Sequence, residues 1–201
     1  MILSFIKKIK NTGNSGFTLV EILVAVLIFS IVIGAVLGIF GFSIKNQTKS
    51  LNYQEVLDQT SYTMEYMSRN LRMARKDTTG ECLGVIGNNY INPSGDSSIR
   101  FLNYNGKCQE FYLDNGQLKQ KKSENNKSAD FGTASALTSH NLNINSIKFI
   151  DPILPSSWNS GDNSQPRVTI FLDIEKREPQ QGTEAGIKIQ TTISQRNLDI
   201  P

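Results

Sequence analysis

Ser15-Gly16-Phe17-Thr18-Leu19-Val20-Glu21 leads into an apolar run from Ile22 to Phe42, and this stretch decides how the whole chain reads. The run holds no charged residue; the first one after Glu21 is Lys45. At about 1.5 Å per helical residue, such a run crosses a hydrocarbon layer about 30 Å thick. Glu21 stands just inside its N-terminal end, where a spanning helix normally excludes charge. A carboxylate there costs roughly 2.5–3.5 kcal/mol on insertion scales, so it calls for a partner or a function. Upstream, Lys7, Lys8 and Lys10 form a short basic leader that ends in Asn14-Ser15-Gly16.

These residues closely resemble the N-terminus of the type IV pilin and type II secretion pseudopilin superfamily. There a positive leader ends in Gly and is followed by Phe-Thr-Leu-(Val/Ile)-Glu and an apolar helix. The resemblance covers roughly the first quarter of the chain. It implies cleavage between Gly16 and Phe17 by a membrane-embedded prepilin peptidase. The same enzyme then N-methylates Phe17, using S-adenosylmethionine as its own cofactor; this chain needs none. It also implies that Glu21 pairs in the membrane with the N-terminal amine of a neighbouring subunit. Two opposite charges in low dielectric need one another, since either alone costs several kcal/mol. The competing reading of Glu21 is snorkelling to the interface. Further implied partners are other pilins or pseudopilins through the N-terminal helix, an inner-membrane assembly platform, and membrane lipid before assembly.

With 201 residues the chain has room for one membrane helix and one modest domain. The leader contributes three of the 21 basic residues, leaving 18 against 18 acidic ones, so the formal charge of +3 belongs to the leader. It is an address, not a nucleic-acid-binding face. Positive residues before the run predict a cytoplasmic leader and an external C-terminal part. A general secretory signal peptide has a shorter apolar region and a small-residue cleavage site, and nothing like that site follows Phe42.

Cys82 and Cys108 both fall on the exported side. An oxidising compartment permits a disulfide between them, which would stabilise the fold by roughly 3–4 kcal/mol in the chain-entropy model. Two separate thiols are the alternative. No metal spacing accompanies them, His140 is isolated, and no G-x-S-x-G, P-loop or H-E-x-x-H motif occurs. The sequence therefore carries no catalytic or metal constellation.

Within the apolar run, Gly34-Ala35-Val36-Leu37-Gly38 is a small-xxx-small pattern that lets helices approach closely. No Pro or Gly appears between Lys45 and Thr79, so one helix is expected from about Phe17 to Lys76. Tyr53, Thr60, Met67 and Ala74, with Leu57, Met64 and Leu71, repeat every seven residues as an apolar stripe. That stripe is read as a seat for the following domain.

Thr78-Thr79-Gly80 marks the end of the helix, and short β-type segments follow. Cys82 to Ile86 is a candidate strand. Ser98 to Tyr104 leads through Asn105-Gly106 into Lys107 to Leu113, and Asp114-Asn115-Gly116 turns the chain into Gln117 to Lys121, a three-stranded meander. Residues 87–97, 122–135 and 152–166 read as loops, natural surfaces for contacts. A segment from Ala136 to Phe149 resembles one found in minor pilins and contains a strand from Ser146. Period-two alternation marks strands over Arg167 to Ile174 and Ile187 to Ser194. Gln190 to Asn197 resembles the closing strand of J-type minor pseudopilins.

The expected fold is α+β: a long N-terminal helix packed against an antiparallel β head. Its parts are the leader 1–16, a membrane or filament-core half 17–42, an amphipathic half 43–77 and a head domain 78–201. The expected function is that of a structural pilin-like subunit, with a type IV pilus, a DNA-uptake pilus and a type II pseudopilus left open. The alternatives are a signal-anchored binding or sensor domain that never polymerises, and a secreted enzyme released by ordinary signal peptidase.

Overall fold

The computed structural model describes residues 16–152, 158–159, 164–179 and 182–196. The leader before Gly16, parts of the 152–166 and 177–186 loops, and the chain beyond Arg196 (with Asn197) lie outside the described residues. Helix α1 runs over Leu19–Arg72, and the chain divides into one unit up to Ile44 and another from Lys45.

In the first unit every large apolar side chain from Phe17 to Ile44 is exposed, from 76% at Phe17 down to 40% at Ile33. No charged side chain interrupts this surface between Glu21 and Lys45. Ser30, a rare polar side chain here, donates its hydroxyl to the Val26 carbonyl at 2.8 Å, the internal bond a hydroxyl makes where water is lacking.

In the second unit, residues 45–72 of α1 are followed, among the described residues, by nine strands: β1 (Tyr90–Ile91), β2 (Pro93–Asp96), β3 (Ser98–Leu102), β4 (Cys108–Asp114), β5 (Gln117–Lys122), β6 (Ser135–Ala136), β7 (Leu142–Ile150), β8 (Arg167–Lys176) and β9 (Gly186–Ser194). One antiparallel sheet has the order β1-β3-β4-β5-β6, and a second has the order β7-β8-β9. The class is α+β, with one long helix ahead of antiparallel sheets.

The meander β3-β4-β5 and the hairpin β8-β9 lie where alternation and turn residues put them. Asn115 and Gly116 both take positive φ, 50° and 72°, as a two-residue turn between twisted strands demands. Along β8, Val168, Ile170, Leu172 and Ile174 are buried while Arg167, Phe171 and Glu175 are exposed.

The helix stripe is displaced from the seven-residue repeat. Val56, Thr60, Thr63, Met64, Met67, Leu71 and Ala74 are buried, whereas Tyr53 and Leu57 are 45% and 37% exposed. A straight α-helix turns every 3.6 residues, so a strict repeat of seven drifts by about 20° per heptad. Val56 and Met67 lie about three full turns apart and share one face; Tyr53 has rotated off it.

Four expectations are corrected. The helix stops at Arg72, not Lys76, because the Arg75 amide pairs with Leu102 of β3 at 2.8 Å. Its last carbonyls are capped from far away, with Tyr90 Oη donating to Leu71 O at 2.7 Å and the Arg196 amide to Arg72 O at 2.7 Å, and just past the helix Gln195 Nε2 donates to Ala74 O at 2.9 Å. Cys82 to Ile86 is not a strand but a chain of turns gathered round the Asp77 carboxylate. Residues 87–97 are not a free loop: they contain β1 and β2, and Asn89 and Tyr90 are each 1% exposed. Likewise 122–135 holds a 3-10 turn (Ser128–Asp130), a bridge between Ser123 and Phe131, and the start of β6.

One core joins the helix to both sheets. Met67 and Leu71 meet Ile99, Phe101, Phe111 and Leu118 from the first sheet and Phe149, Ile170 and Ile174 from the second. An aromatic chain crosses it, Tyr66–Phe111–Phe101–Tyr90–Trp158, with ring centroids 5.4 to 6.4 Å apart. Beside it, Glu110 is 2% exposed and lies opposite Arg100 on one strand and Lys121 on the other, at 2.7 and 3.3 Å. Both cations also lie over the Phe131 ring, which fastens that segment to the sheet.

Candidate functional site

The candidate site is the start of α1. Gly16, Phe17 and Thr18 precede the helix outside any regular element, and Gly16 has nothing within 4 Å of where a Cβ would stand. Its peptide bond is exposed to an approaching protein. Thr18 Oγ1 accepts the Glu21 amide at 3.3 Å, so Thr18 is the N-cap and Glu21 the third helical residue. That is the spacing of a capping box, legible as T-x-x-E, and a signal the motif reading passed over. Glu21 also sits where the helix macrodipole favours a negative charge. Its side chain is exposed, and no cation pairs with it among the described residues.

Gly34, Gly38 and Gly41 have no atom within 4 Å of a would-be Cβ. These glycines relieve no crowding inside the chain; they leave a smooth strip on an apolar surface. Apolar surface of this extent is not stable against water and marks a lipid or protein environment.

Residues 11–37 match the model of the prokaryotic N-terminal methylation motif. The chain carries a prepilin-type N-terminal segment. The match spans the end of the leader, the Gly16-Phe17 bond, Glu21 and most of the apolar run, and it leaves the β-rich unit uncovered. No curated protein matches the chain significantly. The prepilin-type segment is the kind that prepilin peptidase processes, and with the long apolar helix it fits a single-pass membrane anchor. It points to a structural subunit.

Just beyond the apolar run, the loop between β8 and β9 grips the helix. Asn52 Nδ2 donates to Thr183 O at 3.1 Å, and Thr183 is buried. Lys45 crosses Gly182 so closely that a Cβ there would lie 2.5 Å from Nζ. The Gly182 amide donates to Glu184 at 2.9 Å and, with Lys49 and Lys45 close by, holds that carboxyl below its ordinary range. Lys176 of β8 pairs with Glu55, and its hydrogen bond, aided by its charge and by Asn141, depresses the Glu55 carboxyl against the opposing effect of burial. None of these contacts left a mark in the sequence pattern.

Cys82 and Cys108 are joined by a disulfide across a separation of 26 residues, with Cα atoms 5.4 Å apart. Leu83 is buried with them, and Ile91, Leu102 and Phe131 close a small apolar cluster. Among the described residues no group of three or more His, Cys, Asp or Glu is arranged to hold a metal.

Proposed function

We propose that this chain is a minor pilin-like subunit, cut between Gly16 and Phe17, N-methylated on Phe17, and built into a type IV pilus, a DNA-uptake pilus or a type II secretion pseudopilus. The observation that carries the reading is the methylation motif placed on a helix whose first unit exposes every large apolar side chain. Such a surface is served first by lipid and then by the apolar helices of other subunits.

The chemistry at the site belongs to the processing enzyme. Gly16 offers an unhindered carbonyl for hydrolysis, and the methyl group comes from the peptidase's S-adenosylmethionine. This chain supplies the substrate: an exposed Gly16-Phe17-Thr18 outside any regular element, then a capped helix. Once Phe17 is the N-terminus, its ammonium and the Glu21 carboxylate of a neighbour neutralise each other in low dielectric, which fixes the axial register. The basic leader keeps the N-terminus cytoplasmic and the β unit outside. The subunit is drawn into the filament at an inner-membrane platform.

Mass spectrometry of the N-terminus after co-expression with a prepilin peptidase tests this. The expected product begins at N-methyl-Phe17, and Gly16→Ala blocks its formation. An intact leader in the wild-type chain would favour a signal-anchored domain that does not polymerise. A start beyond Phe42 would favour release by signal peptidase.

A further inference from the structure

Asp77 is 1% exposed, and the chain folds round its carboxylate. Oδ1 accepts from the Thr79 amide at 3.1 Å, the Gly80 amide at 2.9 Å and the Thr79 hydroxyl at 3.0 Å. Oδ2 accepts from the Cys82 amide at 3.0 Å and the Leu83 amide at 2.9 Å. The backbone closes the same loop, with the Asp77 amide donating to Asn88 O at 2.9 Å and the Gly87 amide to Asp77 O at 2.6 Å. Residues 78–89 lie in no strand or helix, so no ladder supplies these partners.

The two half-cystines are placed by different means. Cys108 opens β4, opposite Leu102 in the sheet register, and its amide donates to Ser123 Oγ at 2.8 Å. Sheet pairing fixes it. Cys82 sits among turns, and its amide is spent on Asp77. The neighbouring Leu83 amide is spent there too, and Glu81 O accepts from the Ser128 amide at 3.1 Å. The side chain that sets where Cys82 stands is that of Asp77.

We infer that Asp77 is a positioning residue for formation of the Cys82–Cys108 disulfide: in the dithiol chain its carboxylate gathers residues 79–83 and holds Cys82 against Cys108. The oxidation itself is ordinary exchange with an external disulfide such as oxidised glutathione. One cysteine thiolate attacks that disulfide and expels a glutathione thiolate; the second attacks the mixed disulfide and expels the other. Two protein thiols are oxidised, one external disulfide is reduced to two thiols, and the two cysteine protons pass to the leaving thiolates or solvent. Asp77 takes no part in those bonds. Coupling is reciprocal, so the closed disulfide also strengthens the hydrogen bonds that Asp77 accepts. The inference does not depend on filament assembly.

The test is the effective concentration of the Cys82–Cys108 pair, measured on the full chain in detergent micelles. The protein is equilibrated in glutathione buffers, trapped by alkylation, and the dithiol and disulfide forms are counted by mass spectrometry. Asp77→Asn puts an amide donor among amide donors and is expected to lower the effective concentration about tenfold or more. Thr79→Ala removes one bond to the carboxylate and leaves the four amides, so a fall of about two- to fivefold is expected. Should Asp77→Asn fail to fold, Thr79→Ala and Asp77→Glu carry the test alone. A general stabilising role would weaken dithiol and disulfide forms equally and leave the effective concentration unchanged. Values within twofold of wild type in the variants that fold overturn the inference.

Discussion

The side-chain amide of Asn52 donates to the carbonyl oxygen of Thr183 at 3.1 Å, joining the helix to a loop 131 positions later in the chain. Thr183 is buried, so no water replaces the bond when it is removed. Asn52→Ala should therefore cost about 0.5–1.5 kcal/mol, the net contribution of a hydrogen bond to stability. Denaturant unfolding of the full chain in micelles, followed by the fluorescence of Trp158, the sole tryptophan, reports it. A change below about 0.5 kcal/mol would mean that the loop does not hold the helix.

Val56 and Leu57 are neighbours with opposite fates: Val56 is 0% exposed and Leu57 is 37% exposed. Truncating Val56 to Ala should cost about 1–3 kcal/mol, and Leu57→Ala less than about 1 kcal/mol although it removes more carbon. The reverse order would restore the seven-residue stripe and contradict the packing described above.

Burial raises the Asp77 carboxyl, but the amides of Leu83, Thr79 and Gly80 and the Thr79 hydroxyl outweigh it and hold it below the ordinary value of 3.8. The folded pKa thus lies below the unfolded one. The carboxylate's contribution to stability is complete above the unfolded value and is lost as pH falls through the folded value. Wild-type stability should drop over that acidic window, beginning near pH 3.8. Asp77→Asn, less stable at neutral pH, should show a shallower drop. Parallel profiles for the two proteins would assign the acid loss to other carboxylates.

Glu21 stands at the capping-box position of α1, its amide held by Thr18, and is the charge immediately ahead of the apolar run. Substitution separates the two roles. Glu21→Gln keeps a side chain able to cap, whereas Glu21→Val keeps neither cap nor charge. If the charge pairs with a neighbour's N-terminus, both variants should insert in the membrane and both should be poorly incorporated into purified filaments. Normal incorporation of Glu21→Gln would reduce Glu21 to a helix cap.

Much of the fold was legible because its signals are local. An uncharged apolar run, alternation over Arg167 to Ile174, and Asn115-Gly116 between two strands each specify a backbone conformation within a few residues. The prepilin-type segment was legible for the same reason, as one contiguous stretch that matches the methylation motif over residues 11–37. Where the reading went astray, a distant partner won. Cys82 to Ile86 has the composition of a strand, but the Asp77 carboxylate takes the amides of Cys82 and Leu83, and the Gly84 amide turns back to Gly80 O. Arg75 looks helical, but Leu102 claims its amide.

By itself the sequence determined that this protein carries a prepilin-type segment, followed by a long helix and then by antiparallel strands. Length, charge and period are properties of consecutive residues, and they suffice for that. Tertiary structure alone decided where the helix stops, which face of it is buried, and what holds the head to it. Those outcomes rest on pairs such as Gln195 with Ala74, Lys176 with Glu55 and Glu110 with its two cations. Each needs two groups, most of them remote in the chain, to meet away from water, where an unpaired polar atom costs more than local propensity returns.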